Sequence, residues 1–310
     1  MPDMLVPFGD DIAAVAVGDG EVAVLKTDML VGKTDVPLKM TLWQAARKAI
    51  VMNVSDFASK GVQPAAALVA LGLHKKLTQK DIEEIADGLN AGAREYGAFV
   101  VGGDTGEASD LIISVSLFGT ARKKALMLRS GAKAGDVLAV TGFFGKSAAG
   151  LRLLLDERCS VSEDVRRALI DAVLMPKAQL AVGLALASLG VVSASIDSSD
   201  GLAWSLHELA KMNGVGFVVD NIPIADEVRR FAKDNSVDAL ELALYGGEEY
   251  ELVVTLKAEA FAFAKATVEA VGGCLLPIGK ATCEKGMYLD VCGKRQLIEA
   301  RGWEHFKSQL

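Results

Sequence analysis

Seven acidic residues stand where a chain tends to turn or where an apolar strand ends. They are Asp10 and Asp11 in PFGDDIAAV, Asp28 in AVLKTDML, Asp56 in MNVSDFASKG, Asp104 in VVGGDTGEA, and Asp197 and Asp200 in SIDSSDGLAW. Each alone reads equally well as a turn or helix-cap residue. Two of them only three residues apart repel each other unless a cation or a cluster of donors lies between them, and one cap explains only one of the pair. Together they form a set of hard oxygen donors, the chemistry that suits magnesium bridging the phosphates of a nucleotide. Phosphoryl transfer needs positioning and charge neutralisation more than a nucleophilic side chain. The lack of a Ser-His or Cys-His arrangement therefore leaves no gap, and His74, His207 and His305 are scattered without metal-ligand spacing.

Asp56 differs from the rest. With Asn53 it occupies one helix face at i and i+3, beside Ala49 and Lys60, and an Asn and an Asp on a largely apolar helix ask for a partner. GGDTG, residues 102–106, reads as a phosphate cradle, two glycines letting backbone amides approach an anion while Asp104 reaches a metal. FFGKS, residues 143–147, resembles the end of a Walker A loop, but Val140 stands where GxxxxGK[ST] requires glycine. Gly142 and Gly145 are expected to make a strand-to-helix turn there. YGGEEYEL, residues 245–252, leads two glycines and three glutamates into a strand, and a solvated turn is its plain reading.

Most of these residues need a strand end or a helix start to hold them. The patterning predicts strands at 13–17 and 21–26, an irregular segment through Pro37, and a helix over 41–60. Thr41 and Gln44 form that helix's capping box, and Gly61 and Pro64 stop it. A strand at 65–73, a helix at 78–96 and strands at 99–101 and 111–120 complete the first half. The turn-rich RSGAKAGD, residues 129–136, marks the boundary, giving domains at 1–136 and 137–310. Beyond it come a strand at 137–141, helices at 146–155, 162–173 and 176–189, and a strand in which Val192, Ala194 and Ile196 alternate with Ser193, Ser195 and Asp197. The following helix has the apolar stripe Leu202, Leu206 and Leu209, and Asp200 or a neighbouring serine is its expected cap. Strands at 216–219 and 252–256, a helix at 258–271 and a β-rich tail follow. The fold class is α/β in the mixed α+β sense, with two domains.

Composition narrows the partners. The chain has 310 residues, 51% hydrophobic and 24% charged, with a formal net charge of -7. That charge argues against nucleic acid as a partner, so an anionic substrate must be held by metal, backbone amides or a few local bases. No apolar run is long enough to cross a bilayer. Cys159, Cys274, Cys283 and Cys292 form no CxxC pair and the opening residues have no signal-like pattern, so a cytoplasmic protein with reduced thiols is expected.

Seven segments in register, GDD, TDML, MNVSD, GGDT, RSGAKAGD, DSSDGL and GGEEYEL, resemble the thiamine-monophosphate kinase family, relatives of the aminoimidazole ribonucleotide synthetases and selenophosphate synthetases. The resemblance implies transfer of the γ-phosphate of ATP onto the phosphate of thiamine phosphate, without a phosphoenzyme. It implies several magnesium ions held by Asp11, Thr27, Asp28, Asp56, Asp104, Asp197 and Asp200. ATP would meet Gly103, Asp104, Arg129, Ser199 and Tyr96, and the thiamine part would meet Glu248 and Trp303. The family fold implies an N-terminal domain that dimerises through its sheet and a C-terminal α/β domain with a mixed sheet, with ATP held between them. Two residues depart from the pattern of bacterial members. Lys26 stands where they carry Ser or Thr, and an ammonium cannot coordinate magnesium. Asp35, in VGKTDVP, replaces a histidine on the substrate side, with Lys33 nearby. Selenophosphate synthesis lacks its reactive Cys before the first acidic motif, and carbamoyl-handling maturation lacks a terminal cysteine. A ring-closing ligase of the same superfamily and a non-catalytic ATP-binding relative are the remaining alternatives.

Overall fold

The computed structural model describes residues 5, 6 and 8–303; His305 and the end of the RGWEHF segment lie outside them. The chain divides into two compact units, Met1–Leu126 with Leu174–Leu184, and Met127–Val173 with Ala185–Leu310. Residues 127–136 thus go with the second unit. There Leu128 O accepts from Ser195 N, Gly135 N donates to Ala281 O, and the Asp136 carboxylate accepts from Ser193 Oγ. Residues 174–184 go with the first, where Arg47 donates to Pro176 O and the Tyr96 hydroxyl accepts from Ala178 N.

The first unit contains β1 (Ala13–Gly18), β2 (Glu21–Val31), a short helix α1 (Gly32–Asp35), α2 (Leu42–Lys60), β3 (Pro64–Leu73), α3 (Gln79–Glu95), β4 (Phe99–Glu107) and β5 (Ile112–Arg122). Its sheet has the order β1-β2-β5-β3-β4, antiparallel except for the parallel β3-β4 pair. Thr41 caps α2 in a capping box with Gln44, and Gly61 ends the helix at φ 66°. Helices α2 and α3 approach closely because α3 is notched: a Cβ at Gly88 would stand 2.2 Å from Trp43 O.

Alternation along β2 buries Val22, Val24 and Leu30 and exposes Leu25, Thr27 and Met29. Lys26 and Asp28 share the buried parity, so two charged residues point toward the core side and require partners. Strand β2 runs five residues beyond its expected end, since every residue from Glu21 to Val31 pairs with β5. Strand β4 also outruns its expectation: GGDTG continues the ladder on β3, with Asp104 opposite Ala70, so these glycines lie in an edge strand and not in a loop.

The second unit contains β6 (Val137–Val140), α4 (Lys146–Leu155), α5 (Glu163–Leu174), α6 (Leu180–Leu189), β7 (Val192–Asp197), α7 (Leu202–Asn213), β8 (Gly216–Val219), α8 (Asp226–Asn235), α9 (Ala239–Tyr245), β9 (Leu252–Leu256), α10 (Phe261–Ala270), β10 (Leu276–Thr282), β11 (Met287–Val291) and β12 (Lys294–Leu297). Helix α6 is crossed by the division between units. The sheet order is β12-β11-β8-β10-β6-β9-β7, with β11-β8 its parallel pair. Leu202, Leu206 and Leu209 of α7, Val228 and Phe231 of α8 and Leu242 of α9 pack with Leu138, Val140 and Ile278 in one core. Helices α8 and α9 were not foreseen from patterning. Strand β7 is buried on both faces from Ala194 to Asp197, where alternation implied one polar face. Both units therefore mix α and β around a mixed sheet. Among the described residues no helix is long and apolar enough to cross a membrane.

Candidate functional site

In the first unit three chain segments bring their charges together. The Lys26 ammonium lies 2.9 Å from Asp56 Oδ2 on α2 and 3.3 Å from Asp28 Oδ1 on its own strand. One helical turn beyond Asp56, the fully buried Lys60 ammonium lies 2.8 Å from Asp10 Oδ1 and 2.6 Å from Asp11 Oδ2. Ser59 Oγ stands 2.8 Å from Asp11 Oδ2 and equally near Asp56 O, which links the GDD turn to the helix. So many buried carboxylates persist only because cations and hydroxyls answer them.

The other first-unit residues fall into different surroundings. Thr27 lies on the sheet face opposite Lys26 and Asp28; its hydroxyl donates to Val115 O and accepts from Ser116 Oγ. Asp104 is exposed on β4, and beside it a Cβ at Gly103 would strike Val69 O at 1.8 Å, so only glycine fits that strand position. The Asp35 carboxylate accepts from Val31 N and its carbonyl from Lys48 Nζ, a local role that ties down α1. Burial pushes the Tyr96 hydroxyl's pKa up, and its oxygen anchors residue 178.

In the second unit Arg129, Asp197, Ser199 and Asp200 line one cavity of about 240 Å³, together with Trp204 and Glu208. The cap position of α7 falls on Gly201, at φ 111°, and not on Asp200 or a serine. The DSSDGL turn is braced by the GGEEYEL loop: Glu248 N donates to Ser199 O, Tyr250 N to Ser198 O, and Ser198 N to Glu251 O. Glu248 and Tyr250 adopt φ of 63° and 56°, left-handed conformations that non-glycine residues hold at a cost of about 1–3 kcal/mol each and that cluster at functional sites. Trp303 N donates to Asp200 O, which brings the tail against the same turn.

Two glutamates of that loop are not marked by spacing alone. Glu249 Oε1 accepts from Gly145 N and Ser147 N at the start of α4, and Ser147 Oγ donates to Gly247 O. FFGKS is thus a strand-to-helix turn whose amides are taken by a carboxyl side chain. Glu249 keeps some exposed surface as a residue, but enclosure of its carboxyl pushes its pKa up to about 8 against those two amides, with Glu251 reinforcing the rise. Glu251 Oε2 accepts from Thr141 Oγ1. The signal for both was three glutamates running into a buried strand.

The donor set of the first unit fits a hard divalent cation. Asp11 and Asp56 are buried carboxylates, and Asn53 Oδ1, one turn before Asp56 on the same helix face, is buried with no hydrogen-bond partner among the described residues. Asn53 Nδ2 is already spent on Ala49 O, so the orphaned oxygen is the group that a cation or its water would satisfy.

Residues 9–121 match the model for AIR synthase related protein, N-terminal domain, and residues 133–292 match that for AIR synthase related protein, C-terminal domain. Fold and site therefore define a two-domain protein of the AIR synthase related class. Within it, the thiamine-monophosphate kinase of Nitrosopumilus maritimus is 36% identical over 92% of this chain and 89% of its own. That of Pyrococcus horikoshii is 36% identical over 97% and 91%. The structure of AaThiL complexed with AMPPCP and TMP matches with a TM-score of 0.85 at 30% identity, covering 96% of this chain and 92% of that one. The chain belongs to the thiamine-monophosphate kinase family.

Proposed function

We propose that this protein is a thiamine-phosphate kinase, which transfers the γ-phosphate of ATP directly to the phosphate of thiamine phosphate and releases thiamine diphosphate and ADP. The observation that carries this reading is the near full-length match to AaThiL, held there with AMPPCP and TMP, in a chain whose own acids converge on β2, α2 and the GDD turn.

Asp11, Asp28, Asp56 and Asp104 on the first unit and Asp197 and Asp200 on the second are the proposed magnesium ligands; Thr27, implied by the resemblance, faces the other side of β2 with its hydroxyl engaged by Val115 and Ser116, and its side chain is left out of the set. When bound, magnesium neutralises phosphate charge and orients the transferring group. The chain's residues do the rest by position. Arg129 presents a guanidinium fork to phosphate oxygens, Ser199 offers a hydroxyl or amide beside it, and Gly103 meets the nucleotide through its backbone. Tyr96 is the weakest of the assigned nucleotide contacts, since its hydroxyl already serves Ala178. Glu248 and Trp303 face the thiamine moiety, a carboxylate and an aromatic ring for a cationic heterocycle, and Asp35 lies on the acceptor side. No side chain is assigned as a covalent nucleophile.

The first unit's sheet supports a homodimer. Helices α2 and α3 pack on one face, while Val15, Val17, Leu25, Met29, Leu68 and Phe118 lie exposed, and β4 leaves an open edge. An apolar face of this kind marks an interface, and a second copy is its proposed occupant. The cytoplasm, where ATP is supplied and the four free thiols stay reduced, is the proposed place of action.

The deciding assay is ADP release with thiamine phosphate, thiamine and aminoimidazole precursors in parallel, with and without magnesium. Turnover is expected with thiamine phosphate and magnesium together, and Asp104→Ala is expected to lower it at least about 100-fold with an unchanged circular dichroism spectrum. Turnover driven by an aminoimidazole precursor instead, or unaffected by that substitution, sinks the assignment.

A further inference from the structure

Lys26, like Lys60, is a cation in the acidic array to which the proposed chemistry gives no role, since an ammonium has no lone pair to give a metal. Its placement is nonetheless closely determined. It lies on β2, which pairs with β5 along its whole length, and it shares a sheet face with Asp28 two residues on. From there it reaches across to α2, with one nitrogen within hydrogen-bond range of both Asp28 Oδ1 and Asp56 Oδ2. Its side chain is 19% exposed and that of Asp56 is 8% exposed, so water screens the contact weakly.

A divalent ion needs its oxygen ligands about 2.0–2.1 Å away, and the Lys26 ammonium already stands against both carboxylates that would supply them. Ammonium and ion are therefore alternatives there. The ammonium supplies one positive charge to two carboxylates without metal.

We propose that Lys26 is a resident cation that takes the place of one divalent ion between Asp28 and Asp56, so that this chain loads one ion fewer than its acids would otherwise bind. This rests on the reading of those acids as magnesium ligands, and it makes Lys26 a positioning residue that acts through the two aspartates.

The test counts Mn2+ bound by the nucleotide-free chain, from the electron paramagnetic resonance signal of free Mn2+, for the wild type, Lys26→Thr and Lys26→Arg. Lys26→Thr is expected to bind one additional Mn2+ per chain, and Lys26→Arg to keep the wild-type number. If Lys26→Thr is less stable, added Mn2+ is expected to restore its melting temperature, because the ion replaces the lost charge. An unchanged Mn2+ count, or a destabilised variant that Mn2+ does not rescue, overturns the proposal. The count uses no thiamine phosphate. A wild type that releases no ADP with thiamine phosphate thus refutes the kinase reading by itself, whereas normal turnover with an unchanged Mn2+ count refutes the role of Lys26 alone.

Discussion

Single residues in this protein are held by charges distant in sequence. Lys60 ends α2 and is fully buried, yet its ammonium serves Asp10 and Asp11 some fifty positions earlier. Removing one partner of a buried ionic group leaves the others uncompensated, which costs about 3–5 kcal/mol, more than the intact group contributes. Lys60→Met in the presence of a chelator is therefore expected to lower unfolding free energy by about that amount in a urea titration. A loss under about 1 kcal/mol would mean that water reaches the GDD carboxylates. Asp35 illustrates the opposite case: its place in the family pattern implied the substrate side, and its carboxylate is engaged locally by Val31 N.

At the scale of elements, the second unit's loops lock onto helix starts. Glu249 joins the GGEEYEL loop to the first turn of α4 by two amides, and burial raises its pKa from an ordinary 4.5 to about 8. The sign follows from linkage. A carboxyl whose folded value lies above its unfolded one favours the folded state when protonated, so that contribution is complete below about 4.5 and is lost as pH rises through about 8. Melting temperature is expected to fall across that window in the wild type. Glu249→Gln, whose carbonyl accepts from the same amides without ionising, is expected to fall less. Parallel melting curves for the two chains would show that burial does not govern this carboxyl.

At the scale of the molecule, the open face of the first sheet is the proposed dimer interface. Leu68 lies on that face, on β3 between β5 and the edge strand β4, and is 54% exposed. Leu68→Arg places a charge there without touching the packed side of the sheet. Sedimentation is expected to show a dimer for the wild type and a monomer for the variant, with the first unit's helices intact by circular dichroism. A variant that sediments as the wild type does would place the interface elsewhere.

The sequence by itself determined most element positions, because periodicity and punctuation are local: the Thr41 capping box, the Gly61 stop, the α7 stripe and the two mixed α and β units all follow from residues within a turn or two. It also marked the aspartates at both places, since acids beside glycine and at strand ends stand out in a one-dimensional pattern, but not Glu208 in the second unit's cavity. Only tertiary structure decided which cations answer those acids, that Thr27 and Asp28 face opposite sides of β2, that GGDTG lies within an edge strand, and that Gly201 rather than Asp200 begins α7. Those facts depend on strand register and on helix-to-strand packing, where a one-residue slip reverses a side chain's face. Local patterning carries no information about such long-range pairing, and so Lys26 and Lys60 acquire their meaning only in the folded chain.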